Sequence, residues 1–192
     1  TDKPGKALEK NPFRDARVRK ALSMAINRDA IADRIMEKKA VPAAQLLPDF
    51  FYGTSKKLKP VKFGAEGAKK LLAEAGYPNG FAITIHGPNN RYINDDKIAQ
   101  AIAQFYSRAG IDAKVETMPS SVYFTRATKL EFGYMVLGWG TESGEQGSSL
   151  RSLLATQAGV EILAEVEDGL AAVEAARTRK PDLVVIDVSM PG

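Results

Sequence analysis

FAITIHGPNNRYINDDKIAQAIAQFYSRAGIDAKVETMP, residues 81–119, decides the fold of this chain. It opens on a β-branched run, FAITIHG (81–87), and Gly87, Pro88 and two asparagines then interrupt extended pairing. Next, Ile98, Ile102, Phe105 and Ala109 recur at helical spacing and make one apolar stripe, closed by Gly110. AKVETMP (113–119) follows as a second strand. Two strands joined through a helix cannot form a hairpin. They are the parallel strand–helix–strand unit, because a parallel pair needs a crossover of a dozen or more residues. Asn94-Asp95 stands where that helix starts and reads as its cap, with Asp95-Asp96 favourably placed in the helix dipole rather than forming a cation site.

The same texture extends downstream. YMVLGWG (134–140), VEILAEV (160–166) and LVVIDVS (183–189) are three further strand candidates. Ser120 or Ser121 opens a short helix, and Ser148 or Ser149 caps one carrying Leu150, Leu153 and Leu154. Gly169 precedes another, with Leu170, Val173 and Ala176 inward and Pro181 past its end. Upstream, Val18, Leu22, Ala25 and Ile26 share a helix face, and Asn27 caps a second helix with Ile31 and Ile35. Residues 40–64 read as an irregular connection, and a helix over about 65–75 stops at Gly76. The expectation is an α/β fold: a doubly wound, mainly parallel five-stranded sheet in the order 2-1-3-4-5, flavodoxin-like, with extra N-terminal helices.

Composition narrows the function classes. The 192 residues are 44% hydrophobic and 26% charged, ordinary for a globular protein. With no cysteine, disulfides, thiolate metal sites and cysteine nucleophiles are excluded. His86 is the sole histidine, which excludes a histidine-rich metal site; beside Gly87-Pro88 it reads as a strand-end surface residue. No apolar run spans a bilayer and no secretory leader is read at the N-terminus, so no membrane partner is expected. Residues 1–70 hold 17 Lys+Arg against 8 Asp+Glu, whereas residues 71–192 hold 10 against 15. The cations Arg17, Arg19, Lys20, Lys38, Lys39, Lys56, Lys57 and Lys59 are scattered over helices and a turn, which reads as solvated faces rather than a nucleic-acid surface. Gly138-Trp139-Gly140 lacks the spacing of a dinucleotide loop. No cofactor and no metal is expected.

NPFRDARVRKALSMAINRDAI (11–31), AKKLLAEAGYPNGF (68–81), the 86–119 unit and YMVLGWGTESGE (134–145) together resemble the dipeptide/oligopeptide/nickel family of solute-binding proteins serving ABC importers, over residues about 11–156. That resemblance implies two lobes closing on a peptide-like ligand, of which this chain supplies most of one. It implies that the Gly138-Trp139 strand end faces the cleft. It also implies that Glu142 or Glu145 matches an acidic position that holds a ligand's amino group, although many relatives have Asp there. Packing of Trp139 and solvation of both glutamates is the competing reading.

From about residue 150, LRSLLATQAGVEILAEVEDGLAAVEAARTRKPDLVVIDVSMPG resembles the middle of a response-regulator receiver domain. In PDLVVIDVSMPG, Asp187 matches the phosphate-accepting aspartate. A receiver also needs an acidic pair for Mg²⁺, a hydroxyl residue and a lysine, which this segment does not supply, so Asp187 is expected to be vestigial. SSLRSLLAT (148–156) fits both families, because a helix following a parallel strand has the same geometry in either.

The chain is therefore expected to be an engineered chimera: a single composite domain over 1–192, joining a solute-binding lobe fragment (1–149) to a receiver fragment (150–192), not an enzyme and without a native biochemical function. The alternatives are residual weak peptide binding around Trp139, Glu142 and Glu145, and a phospho-acceptor or Mg²⁺-binding remnant at Asp187. An open sheet edge further suggests a homodimer. The relatives of the first part are periplasmic and those of the second cytoplasmic; the joined chain is expected to be made in the cytoplasm.

Overall fold

The computed structural model describes residues 8–140 and, further on, the helix Gly169–Arg179. The chain divides into two compact units, residues 1–42 with 60–138, and residues 43–59 with 139–192.

In the first unit a 3₁₀ turn, Pro12–Arg14, leads into α1, Ala16–Ala25. Asp15 starts that helix by accepting the Arg17 amide at 2.8 Å. Asn27 caps α2, Arg28–Ala30, by accepting the Ala30 amide at 3.0 Å, as its sequence position predicts. The helix then widens into a π turn, Ile31–Ile35, closed by Met36 N–H to the Ile31 carbonyl. Helix α3, Ala65–Glu74, ends with Gly76 at φ +92°, where the Tyr77 amide returns to the Leu72 carbonyl.

The 81–119 unit folds as read. Strand β1, Ala82–Pro88, and strand β2, Asp112–Met118, pair in parallel from Ala82↔Asp112 to Pro88↔Met118, with α4, Asp95–Arg108, crossing between them. Helix α5, Ser120–Thr128, follows. The apolar stripe of α4 is rotated from its expected centre: Ala99, Ile102, Tyr106 and Ala109 are buried, while Ile98 and Phe105 are only half-buried. Tyr106 can take the inner position because its hydroxyl lies 2.6 Å from that of Tyr134. The core then closes with Val18, Leu22 and Ala25 of α1, Ala68 and Leu72 of α3, and Phe81, Ile85 and Ile111 at the strands.

The expected strand 134–140 is shortened to one bridge, His86↔Met135 in parallel. His86 N–H donates to the Tyr134 carbonyl at 3.0 Å, and Val136 N–H donates to the His86 carbonyl at 2.8 Å. Gly138 and Gly140 interrupt the extended run, and glycine weakens a strand interior. The His86 groups point to one edge of β1. Phe81 C=O and Asn89 N–H, of opposite parity, bond Asp112 and Met118 along β2 at the other edge. The order across the sheet is therefore β2, β1, then 134–136. The other two candidates of the five-stranded order, 160–166 and 183–189, lie outside the described residues, as does the helix expected around Leu150, Leu153 and Leu154.

In the second unit, Gln45 exchanges two hydrogen bonds with the Ser55 backbone (3.1 and 2.9 Å), closing a loop over part of the irregular 40–64 connection. Helix α6, Gly169–Arg179, lies where Gly169 and Pro181 bracket it in the sequence. The inward placing of Leu170, Val173 and Ala176 lies outside what is described. Among the described residues no helix is long and apolar enough to cross a membrane.

Candidate functional site

From β1 the chain passes through α4 to β2 on one edge; from β2 it passes through α5 to 134–136 on the opposite edge. The end of β1 is thus a topological switch point, where the following loops diverge and leave a crevice at the carboxyl ends of the strands. A cleft of about 520 Å³ lies there, lined by Met36, Arg91, Tyr92, Ile93, Asp95, Ile98, Val136, Leu137 and Gly138. A smaller depression, about 290 Å³ and lined by residues such as Lys69, Tyr77 and Gly110, lies at the entrances to the strands instead. The switch-point rule favours the first.

The loop 89–94 that forms one wall is fastened at successive residues. Asn89 N–H donates to the Met118 carbonyl, and Asn90 Oδ1 accepts the Ser120 amide at 2.8 Å. Arg91 and Tyr92 amides both donate to Asp95 Oδ2 at 3.0 Å, and Asn94 Nδ2 donates to the Ile35 carbonyl at 2.9 Å. Asn94 itself sits at φ +54° and gives α4 no side-chain cap. The capping read into Asn94-Asp95 falls to Asp95 alone, because Asn94 turns its side chain to the π turn. Asp95 is only 3% exposed. Burial opposes its ionisation, but the amides of Tyr92, Arg91 and Asp96 outweigh that and hold its carboxyl below the ordinary range.

The opposite wall is 136–138. Two tyrosines fasten it: Tyr106 through the hydroxyl of Tyr134, and Tyr123 by donating to the Val136 carbonyl at 2.7 Å. Burial pushes the Tyr106 phenol far up and the Tyr123 phenol up to about 12, so both are neutral at physiological pH. Tyr92 bridges the two walls. Its ring lies on Gly138, where a Cβ would come within 2.6 Å of it, and its hydroxyl reaches the Gly138 carbonyl at 3.3 Å. The Arg91 guanidinium stands 5.4 Å from the Tyr92 ring centroid. The floor and sides are thus apolar, with one exposed cation at the rim.

His86 is not the surface residue its neighbours in sequence suggest. It lies within β1, stacked on Phe132 at 4.3 Å, with Nε2 3.6 Å from Glu116. Arg126 stands 4.9 Å from the Phe132 ring centroid and pairs with Glu116 and Glu131, both at 2.8 Å. These contacts are structural.

The profile of bacterial extracellular solute-binding proteins, family 5, matches residues 5–160. The chain belongs to that family. The dipeptide-binding protein of Escherichia coli strain K12 is 30% identical over 154 residues, 79% of this chain and 29% of that protein. Heme-binding protein A of Haemophilus influenzae is 29% identical over 154 residues, 76% of this chain and 27% of that protein. Among solved structures, the periplasmic binding protein DppA of Helicobacter pylori, in complex with the peptide STSA, superposes with a TM-score of 0.66 at 31% identity. That superposition covers 71% of this chain and 26% of that one. The chain thus spans under a third of the relatives it matches. Family 5 members are binding proteins rather than enzymes, and their α/β fold is the one this chain shares. The match runs to residue 160, past the boundary at 149/150 read from the sequence.

Trp139 directly follows Gly138, is 40% exposed, and belongs to the second unit. Glu142, Glu145 and Asp187 lie outside the described residues. Of the residues lining the cleft, the sequence reading placed Gly138 at a cleft-facing strand end and named Asp95 and Ile98 only as helix residues; Met36, Arg91, Tyr92, Ile93, Val136 and Leu137 it did not single out. Its available signal was the polar loop PNNRYIND between the first strand and its helix, at the carboxyl end where a parallel sheet binds ligands. Among the described residues no cluster of acidic or histidine side chains is arranged to hold a metal ion.

Proposed function

We propose that this chain is a ligand-binding part of a peptide-type solute-binding protein, and that the cleft between loop 89–94 and residues 136–138 is its ligand face. The observation carrying this reading is an apolar switch-point cleft with the exposed Arg91 guanidinium on its rim. Apolar walls take up side chains and a guanidinium donates to a carboxylate, which together suit a short peptide. Relatives named for a dipeptide and for heme show that the family's ligands vary, and both compounds carry carboxylates. Trp139, and Glu142 or Glu145 as holder of a ligand's amino group, remain proposed contacts on sequence grounds. The relatives' periplasmic location is proposed for the parent of this part.

Because the chain spans under a third of its relatives, affinity on the order of millimolar is expected, about 4 kcal/mol of binding free energy. Calorimetry with a panel of di- and tripeptides tests this. Heat that saturates near millimolar peptide and falls several-fold in Arg91→Ala supports the reading; a flat titration at ten times that concentration defeats it.

For residues 150–192, the receiver-like pattern PDLVVIDVSMPG supports a second proposal, that of a joined chain with a vestigial phospho-acceptor at Asp187. The expected result of incubation with acetyl phosphate and Mg²⁺ is an unchanged intact mass. One added phosphoryl group, absent in Asp187→Asn, would show a working acceptor.

A further inference from the structure

Asp95 is the only charged residue among the fully buried described side chains, and capping alone does not account for it. A helix cap needs an acceptor for amides of the first turn, and Oδ1 supplies that by taking the Asp96 amide at 2.9 Å. Oδ2 is spent outside the helix, on the amides of Arg91 and Tyr92, each at 3.0 Å. Those two residues carry the rim cation and the ring on Gly138. The chain reverses between them and Asp95 through Asn94 at φ +54°, the left-handed region that asparagine adopts more readily than most residues with a Cβ. A buried charge and a left-handed asparagine are maintained where a plain serine cap would start the same helix.

We propose that Asp95 is the positioning residue of this cleft, fixing the backbone at Arg91 and Tyr92 so that guanidinium and ring are presented together at its rim. This rests on the reading of the cleft as the ligand face. With both amides held, the Arg91 guanidinium stands 5.4 Å from the Tyr92 ring centroid and both residues line the cleft. Tyr92 in turn covers the backbone of Gly138, so one carboxylate sets both the anion-binding rim and the shape of the opposite wall. The consequence is ligand discrimination: Asp95 controls how strongly the cleft prefers a peptide with a free carboxylate over its amide.

The test uses the full chain with trialanine and trialanine amide as probes, and the Gly138 amide resonance as a report of the Tyr92 ring above it. The wild type is expected to bind the acid about tenfold more tightly than the amide, the scale of one charge-assisted contact. Asp95→Asn retains an oxygen to cap α4 but not the charge that holds two amides. In it, the preference should fall to within about twofold, and the Gly138 resonance should lose its ring-current displacement while the amides of α1 and α3 stay unchanged. A folded Asp95→Asn with the Gly138 resonance and the preference both unmoved would overturn the proposal and reduce Asp95 to a cap. Loss of the Gly138 displacement in a protein whose wild type binds neither probe would leave Asp95 as the positioning residue and defeat the peptide reading instead. Should Asp95→Asn not fold, Asp95→Ser, whose hydroxyl caps the helix without reaching Arg91 and Tyr92, is judged by the same two readouts.

Discussion

Gly80→Ala is expected to destabilise the protein by about 3 kcal/mol, lowering the melting temperature by roughly 6–12 °C. Gly80 leads into β1 at φ +68°, a conformation that alanine adopts only under strain. The neighbouring chain makes the larger contribution. Gly110, the corresponding turn residue before β2, lies alongside, and a Cβ on Gly80 would run into its carbonyl oxygen. That oxygen belongs to backbone, and Ile111, the next residue, is fully packed in the core. Neither chain can yield without moving the start of a strand. Gly76→Ala and Gly110→Ala provide the controls, because both have positive φ but open space where a Cβ would stand. They should lose about 1 kcal/mol, the conformational part alone. Thermal melts of the three variants separate the two causes. Equal losses in all three would mean that the close approach of the two turns carries no weight.

The contrast between these glycines shows what a sequence can and cannot convey here. Gly76, Gly80 and Gly110 all mark element ends and are legible as punctuation. Only spatial pairing distinguishes Gly80, since its obstacle lies 30 residues away. The strand–helix–strand unit was legible for the same local reason: a β-branched run, a helical stripe and a second run follow one another within 39 residues. Asn27 and Gly76 were read correctly because caps act on their own helices. Three misplaced readings involve a partner distant in the chain. Tyr106 displaces Phe105 from the core because of Tyr134, and His86 is drawn inward by Phe132 and the 134–136 backbone. Asn94 yields the cap to Asp95 because Ile35 takes its side chain. Apart from Gly138, the cleft escaped the reading for a related reason. It is a product of strand order, whereas Trp139, Glu142 and Glu145 were chosen from a resemblance around one strand end.

Tyr123 shows how closely the site and the core depend on one another, and its removal is expected to have the largest effect on both. Its ring is fully buried, stacked on Phe132 with centroids 5.3 Å apart, and its hydroxyl donates to the Val136 carbonyl. Tyr123→Ala should cost about 3–5 kcal/mol, as large aromatic truncations in cores do. It should also abolish measurable peptide binding, because the Val136 end of the cleft wall loses the side chain that fastens it. Tyr123→Phe isolates the hydroxyl: a loss of about 1 kcal/mol from the unpaired Val136 carbonyl, with most of the packing retained. The pH dependence follows from the direction of the shift. In the folded chain the phenol is pushed up to about 12 from an ordinary 10, so folding favours the neutral form. The corresponding stability is fully present below pH 10 and is lost as the pH rises through about 12. Tyr106 and Tyr134, raised by burial in the same direction, add to the alkaline loss. The stability of Tyr123→Phe should therefore decline less steeply than that of the wild type between pH 10 and 12 when both are followed by chemical denaturation. Parallel declines would place the alkaline sensitivity in the Tyr106–Tyr134 pair alone, leaving Tyr123 to hold the cleft wall by packing rather than by its hydrogen bond.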